Sequence, residues 1–305
     1  MRINKTPFSY EKNLDEVRRF LLEIYELTGQ LHYLIPTKIE NEKYGPCGTD
    51  YSHEDDEAIK IWSTSENGMI AVSHRGSAGN YHIEIHPEYK HLEKDLFHEI
   101  ENLERQYGNK EKSRIYMYTV SSDSERPQVL EDMGYEDMGL HEYNYSFPLD
   151  ASIPENPLPK GLALQDLQNE EDYPKLIEVI GSVYDHCRQH MTLEKMKFMT
   201  QAEFYHADLN LAATDEAGTF VGFCMYRLDP LTNIVEMESL DTRPGFNNLG
   251  IEEALLSEGL RRLKTYNPKL ICAVEIDVSD SLNQKLEAAG FTQSVTMNMW
   301  NKILQ

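Results

Sequence analysis

Two carboxylates at alternate positions are the strongest candidates for chemistry in this sequence. Glu236 and Glu238 lie in the stretch Ile234–Leu240, whose alternation of polar and apolar residues predicts a β-strand. A period of two places both carboxylates on one face of that strand. If burial raises the pKa of one of them, it can act as a general base. The alternative is an exposed sheet face that carries two solvated acids.

A glycine-bearing turn follows this strand and leads into a helix. Arg243-Pro244-Gly245-Phe246 ends the strand, because proline lacks a ladder donor and glycine permits a sharp reversal. Gly250 then precedes an amphipathic helix, whose free N–H groups at the start form a site for phosphate. Glu252 and Glu253 in the first turn suit the helix dipole, but they would repel a pyrophosphate unless their side chains turn away.

This strand, turn and helix resemble the GNAT superfamily of N-acetyltransferases. The signature of that family is Arg or Gln, two residues, Gly, one residue, then Gly or Ala, and it cradles the pyrophosphate of acetyl-CoA. Here Asn247, Gly250 and Glu252 stand at those three places. The resemblance implies that acetyl-CoA is a co-substrate. Its expected contacts are Leu240, Thr242, Asn247, Asn248, Leu249, Gly250, Ile251, Glu252 and Asn283.

The resemblance also assigns roles in acetyl transfer. Glu238 matches an acidic residue on the fourth strand and would be the general base, with Glu236 as the alternative. Backbone N–H groups of the fourth strand and of the turn around Thr242 and Arg243 would polarise the thioester carbonyl. Leu286 stands where the family has the tyrosine that protonates the departing thiolate, so that step would need another donor or water. Asn283 matches a cofactor contact and could equally cap or decorate a helix.

The residues that would contact the acceptor are harder to identify from the sequence. In GNAT folds the region after the first strand lines the acceptor pocket, so Tyr184, Asp185 and His186 are candidate substrate contacts. His186 and His190 are four residues apart, a spacing that can bind zinc, but no third ligand is visible. The sequence therefore predicts no metal site.

A repeated motif indicates an internal duplication. Leu130-Glu131-x-x-Gly134-Tyr135 recurs as Leu286-Glu287-x-x-Gly290-Phe291, and a Ser-Asp-Ser triplet precedes both. The offset is about 150 residues, the size of one domain. Each half reads helix, three strands, helix, strand, helix, strand, which predicts an α/β (mixed α+β) fold with a mixed, mostly antiparallel sheet flanked by helices.

The duplication predicts two tandem GNAT-like domains, residues 1–149 and 161–305, joined by a proline-rich linker at 150–160. This layout is similar to tandem members such as the mycothiol synthases, in which the C-terminal copy carries the chemistry. In the N-terminal copy, His86-Pro87-Glu88-Tyr89-Lys90 occupies the family's His-Pro-x-Tyr-Arg place, but the segment that follows has no glycine. We therefore expect this copy to lack a CoA site and to be structural or to help wall the acceptor site.

Composition limits the partners. The net charge of −23 disfavours nucleic acid and anionic membranes and favours a cationic acceptor such as an amine, although a solvated acidic surface explains it as well. Four scattered cysteines and no apolar run predict a reduced, cytoplasmic protein without disulfides. A monomer and a homodimer both remain open, because two fused copies can bury together what dimeric relatives bury between chains. The sequence thus predicts an acyl-CoA-dependent N-acyltransferase acting on a primary amine. The alternative is a non-catalytic GNAT-fold module that senses a ligand or binds a protein.

Overall fold

The computed structural model describes residues 3–30, 33–45, 55–65, 68–76, 79–107 and 114–304. Its strands are β1 (Ile3–Ser9), β2 (Asp55–Thr64), β3 (Gly68–Arg75), β4 (Tyr81–Ile85), β5 (Arg114–Val120), β6 (Glu136–Ser146), β7 (Ala163–Asp166), β8 (Asn210–Thr214), β9 (Phe220–Leu228), β10 (Ile234–Thr242), β11 (Leu270–Asp277) and β12 (Thr292–Ile303). Its helices are α1 (Tyr10–Thr28), α2 (Pro36–Tyr44), α3 (Glu93–Tyr107), α4 (Arg126–Asp132), α5 (Tyr173–Val183), α6 (Asp185–His190), α7 (Leu193–Met199), α8 (Ile251–Leu263) and α9 (Leu282–Ala289). None of these described helices has the length and apolarity needed to span a membrane.

The chain forms two compact units that are not consecutive in sequence. Unit 1 comprises Met1–Pro36, His53–Tyr143 and Ser294–Gln305. Unit 2 comprises Thr37–Ser52 and Asn144–Gln293. Strand β12 joins unit 1 because it pairs antiparallel with β5.

In unit 1, an antiparallel sheet has the order β1-β2-β3-β4. Helix α1 buries the face that carries Val17, Leu21 and Ile24, as expected for apolar residues spaced three and four apart. It ends at Gly29, whose φ of 72° permits its N–H to reach the carbonyl of Tyr25. The hydrophobic core of the unit includes Trp62, Phe97, Ile100, Leu130 and Trp300.

In unit 2, the strands follow the order β11-β10-β9-β8-β7, and only the β10–β11 pair is parallel. Helices cover both faces of β9. Phe223 packs with the apolar residues of α5, whereas Tyr226, an odd number of positions away, lies against α8. A Cβ at Gly259 would stand 2.0 Å from the Tyr226 ring, and the Tyr226 hydroxyl donates to the carbonyl of Leu256 at 3.1 Å. Helix α8 therefore lies directly on the sheet.

The duplicated motif has the same local structure in both units. Gly134 and Gly290 end α4 and α9 with φ of 82° and 98°. The N–H of Tyr135 donates to the carbonyl of Leu130 at 3.0 Å, and that of Phe291 donates to Leu286 at 3.0 Å. These are matching Schellman caps, and both leucines are fully buried. The mixed α/β class predicted from the sequence is confirmed.

Some elements differ from the prediction. Strands β1 and β7 precede the first helix of each half, and α2 forms where a loop was expected. The exposed, polar β1 lacks the alternation that would mark it. The sequence predicts a long helical region over about 170–204, as one helix or two, and the structure has three, α5, α6 and α7. Thr192 starts α7 by accepting the N–H of Lys195 at 3.2 Å.

One cysteine contradicts the expectation that the protein contains no disulfide. Cys187 is disulfide-bonded, whereas Cys224 and Cys272 are free and buried. Sequence spacing cannot reveal cysteines that folding brings together from distant positions.

Candidate active site

Strand β10 carries a β-bulge in its middle. Met237 lies opposite Tyr226 and Ser239 lies opposite Met225, so Glu238 between them has no opposite residue on β9. On its other edge β10 pairs with β11 over Ile234–Glu236, and this ladder stops before Glu238. The two parallel strands thus part at the bulge, and the edge of β10 beyond it is open to other partners.

The two candidate carboxylates share one cation. Arg227 on β9 lies 3.6 Å from Glu236 and 3.1 Å from Glu238. Glu236 is 6% exposed and accepts the hydroxyl of Thr37 at 2.8 Å. Burial raises the pKa of Glu236, and the charge of Arg227 opposes that rise. The Glu238 side chain is 32% exposed, so it is the carboxylate that an incoming molecule can reach.

Some of the backbone N–H groups of β10 beyond the bulge already donate hydrogen bonds within the protein. The N–H of Arg243 donates to Val221 on β9 at 2.9 Å. By alternation, the amides of Leu240 and Thr242 point to the opposite, open edge. The amide of Thr242 donates to the Asp241 carboxylate at 2.8 Å. Of the backbone N–H groups expected to polarise a thioester, those of Thr242 and Arg243 therefore have acceptors in this structure, whereas that of Leu240 points to the open edge.

The start of α8 has the geometry of an anion site. Gly250 is its N-cap with φ of 83°, and no side chain caps the helix. The first amide of the helix ladder is that of Ala254, which donates to Gly250 at 3.2 Å, so the amides of residues 251–253 precede the ladder. Asn247, Asn248 and Leu249 are exposed beside them, whereas the side chain of Ile251 is buried in the core.

Glu252 lies inside this site and is 2% exposed. Its Oε1 accepts Lys285 Nζ at 2.7 Å and the hydroxyl of Thr242 at 3.3 Å. The Thr242 hydroxyl is also 3.1 Å from Oδ1 of Asn247. A carboxylate thus occupies the place where the GNAT signature has a residue with little or no side chain, and Lys285 balances its charge.

Of the predicted substrate contacts, Tyr184 lies beside Asp241 of β10. Its hydroxyl donates to Asp241, and burial together with the charges of Asp241 and Glu238 raises its pKa. Burial also raises the pKa of Asp241, against the effect of the Thr242 N–H bond. The Asp185 side chain is 91% exposed and pairs with Arg188. The backbone of His186 lies in α6, and its side chain is outside the described part of the chain.

Two residues on α9 that the resemblance singles out, Asn283 and Leu286, are buried. Asn283 Nδ2 donates to the carbonyls of Asp277 and Asp280 at 2.8 and 2.9 Å, which holds the loop between β11 and α9. Leu286 is fully buried, so the tyrosine place is part of the core. Within the described ranges, no three His, Cys, Asp or Glu residues are grouped to hold a metal ion.

Sequence reasoning missed three residues of this site: Arg227, Asp241 and Lys285. Lys285 carried one signal, because it lies two positions after Asn283 on a helix next to the turn. Arg227 carried none, because it meets Glu236 and Glu238 across the β9–β10 pair. Asp241 carried none, because its partner Tyr184 lies far away in the chain.

Solved structures of acetyltransferases resemble the chain along nearly all of its length. A GCN5-related N-acetyltransferase from Sphaerobacter thermophilus aligns over 99% of this chain and 95% of its own at 15% identity, with a TM-score of 0.70. A tandem GNAT protein from the clavulanic acid biosynthesis pathway aligns over 99% and 98% at 12% identity, with a TM-score of 0.69. A GNAT-family acetyltransferase from Colwellia psychrerythraea aligns over 99% of both chains at 11% identity, with a TM-score of 0.63.

No family model and no curated protein sequence matches the chain. At identities of 11–15%, the structural similarity establishes architecture and leaves the chemistry to be argued from the site. The chain has the fold of the GCN5-related N-acetyltransferases, in an arrangement shared with a tandem member.

Proposed function

We propose that this protein is an acyl-CoA-dependent N-acyltransferase that moves an acetyl group from acetyl-CoA to a primary amine of a small, cationic acceptor. The proposal depends on one observation above all. Glu238, a partly exposed carboxylate, lies on the bulge at which β10 leaves β11, in the same unit as a helix start that no side chain caps.

The residues around the bulge fit the chemistry of amine acylation. Glu238 takes the proton from the acceptor ammonium and so frees the nitrogen lone pair. The amide of Leu240 faces the open edge and can donate to an oxygen on which charge develops. A tyrosine hydroxyl is protonated at neutral pH, and that of Tyr184 lies against Asp241 on the same strand as Glu238. Its hydroxyl is therefore our candidate for the donor that the buried Leu286 cannot be.

Acetyl-CoA would supply the activated acyl carbon, and its diphosphate would sit at the amides of residues 251–253. The αL conformation of Gly250 and the missing side-chain cap support this placement. The carboxylate of Glu252 works against it, although Lys285 at 2.7 Å offsets that charge.

A titration of the purified protein with acetyl-CoA in a calorimeter tests the proposal directly. We expect saturable binding, followed by release of free CoA thiol when a primary amine is added. Absence of binding at millimolar acetyl-CoA would overturn the proposal.

The burial of Glu252 favours a second candidate function. A carboxylate in the phosphate turn and a leucine at the tyrosine place are what a GNAT-fold module that has lost catalysis would carry. Such a module would bind a small ligand or a protein without acyl transfer. Native protein that binds acetyl-CoA but releases no thiol with any primary amine supports this second function.

A further inference from the structure

Arg227 lies at the centre of the candidate active site as a buried cation. It belongs to β9, every residue of which is buried, and its own exposure is 5%. In the antiparallel ladder it stands directly opposite Glu236 of β10, and Glu238 follows on the bulge. One buried guanidinium therefore faces both candidate carboxylates.

The guanidinium is closer to Glu238 than to Glu236. Its Nη2 lies 3.1 Å from Oε1 of Glu238, whereas its Nη1 lies 3.6 Å from Oε2 of Glu236. The same oxygen of Glu236 accepts the hydroxyl of Thr37, on α2, at 2.8 Å. Glu236 is therefore held from two sides, while Arg227 is the cation that pairs with Glu238 among the described residues.

Packing fixes the position of this guanidinium. Its Cζ lies over the Phe204 ring, 5.1 Å from the ring centroid. Its Nε is buried and has no hydrogen-bond partner among the described residues. An unpaired buried donor destabilises the folded state. The arrangement of Arg227 is therefore not the one that stability alone would favour, which points to a role in the site.

Glu238 is a residue that needs such a partner. Its side chain is 32% exposed, and no residue of β9 stands opposite it at the bulge. A glutamate in that position would otherwise exchange between several rotamers in solvent. A pair with an immobile guanidinium holds the carboxylate through Oε1 and leaves Oε2 for the acceptor. Orienting a reacting group in this way raises the rate of its reaction.

We propose that Arg227 is a positioning residue, which holds the carboxylate of Glu238 in the orientation that receives the proton of the acceptor ammonium. In this step an N–H bond of the acceptor breaks and an O–H bond forms on Glu238. Arg227 keeps its own protons and contacts neither substrate, so it acts through Glu238. The inference rests on the proposed function, in which Glu238 is the general base.

A double-mutant cycle tests this role in the full chain. Removal of Arg227 alone would leave the buried carboxylate of Glu236 with only a hydroxyl beside it, which destabilises the fold. Glu236→Gln is therefore the parent of all variants, because it carries no charge and keeps an oxygen for Thr37. Arg227→Met, Glu238→Gln and both together are added to this parent. Thermal melting checks that each protein is folded.

The measurement is release of CoA thiol from acetyl-CoA, with the primary amine to which native protein transfers fastest. We expect Arg227→Met to lower kcat roughly tenfold where Glu238 is present, and less than about twofold where Glu238→Gln has already removed the base. The KM for acetyl-CoA should stay the same. A residue with a purely structural role would lower kcat equally in both backgrounds. Arg227→Lys keeps a charge that can reach Glu238, so its kcat should lie between those of the parent and Arg227→Met.

Folded Arg227→Met that is as active as its parent overturns the inference, as does a loss of kcat that is equally large without Glu238. An inactive Glu236→Gln parent overturns it too, since Glu236 would then be the base. If Arg227→Met does not fold, the same cycle with Arg227→Lys decides. All these results leave acyl transfer by native protein intact. If native protein transfers no acetyl group to any primary amine, the proposed function itself fails, and the role of Arg227 fails with it.

Discussion

Lys285 Nζ lies 2.7 Å from Oε1 of Glu252, and this carboxylate is 2% exposed beside the first turn of α8. A buried anion needs such a partner, because desolvation of an uncompensated charge is costly. The pair therefore links α9 to the turn in which the diphosphate is proposed to bind.

Removal of the cation should destabilise the fold. We expect Lys285→Met to lower the free energy of unfolding by about 1–3 kcal/mol, less than for a fully buried pair because Lys285 is partly exposed. Urea unfolding at neutral pH measures the change. The double variant Lys285→Met with Glu252→Gln should recover most of the loss, since no unpaired charge is left. If the double variant is as unstable as the single one, the pair is not the cause.

Removal of the carboxylate should strengthen cofactor binding. In Glu252→Ala, the negative charge next to the proposed diphosphate site is gone and Lys285 is released to meet the ligand. We expect the affinity for acetyl-CoA to rise about tenfold, or 1.4 kcal/mol, in a calorimetric titration. Glu253→Ala, one position along, is the control and should change the affinity much less. Equal affinity in native protein and Glu252→Ala would mean that the carboxylate does not obstruct binding.

Glu238 is expected to control the rate of acyl transfer. Glu238→Gln keeps the shape of the side chain but cannot accept a proton, so kcat should fall by roughly 10²–10⁴-fold with little change in acetyl-CoA affinity. Glu236→Gln is the matched comparison on the same strand and should have a smaller effect on the rate, because Glu236 is buried against Thr37. If kcat falls more in Glu236→Gln than in Glu238→Gln, Glu236 is the general base and Glu238 is not.

Glu236 should also make stability depend on pH. Its pKa is raised above 4.5 in the folded protein by burial. The unfolded chain therefore releases this proton first as pH rises. The contribution of Glu236 to stability is complete below about pH 4.5 and is lost as pH rises through the higher folded-state pKa.

Glu236→Gln cannot titrate and does not lose this contribution. We expect the stability of this variant relative to the native protein to increase from pH 4 to pH 7, approximately the range that contains the transition, in urea unfolding curves at each pH. Glu238→Gln, which replaces a partly exposed carboxylate, serves as the control. A difference between Glu236→Gln and native protein that is constant with pH would contradict the assignment.

Local patterns in the sequence predicted the frame of the candidate site. The alternation of residues 234–240 predicted β10 except for its last two residues, Gly250 marked the start of α8, and the paired Leu-Glu-x-x-Gly motifs marked the caps of α4 and α9. Each of these features depends on residues close together in the chain, where period and turn chemistry are readable.

The parts that the sequence did not predict depend on distant residues. The bulge at Glu238 is a property of the β9–β10 register, and the partner of Glu252 lies 33 positions away on α9. The contact between Asp241 and Tyr184 joins β10 to the end of α5, which no local pattern indicates. Side-chain pairing across elements thus decides the chemistry, while local pattern decides the elements.

The contact between Gly259 and Tyr226 has a consequence for how this fold can diverge. No side chain separates α8 from the Tyr226 ring at Gly259. The backbone of α8 therefore packs directly on β9, and this contact fixes the position of the N-terminal end of the helix. Even alanine at position 259 would clash with the Tyr226 ring, tilt α8 and displace the amides of residues 251–253. A homologue with a larger residue at position 259 would therefore need a different set of backbone contacts at the proposed diphosphate site.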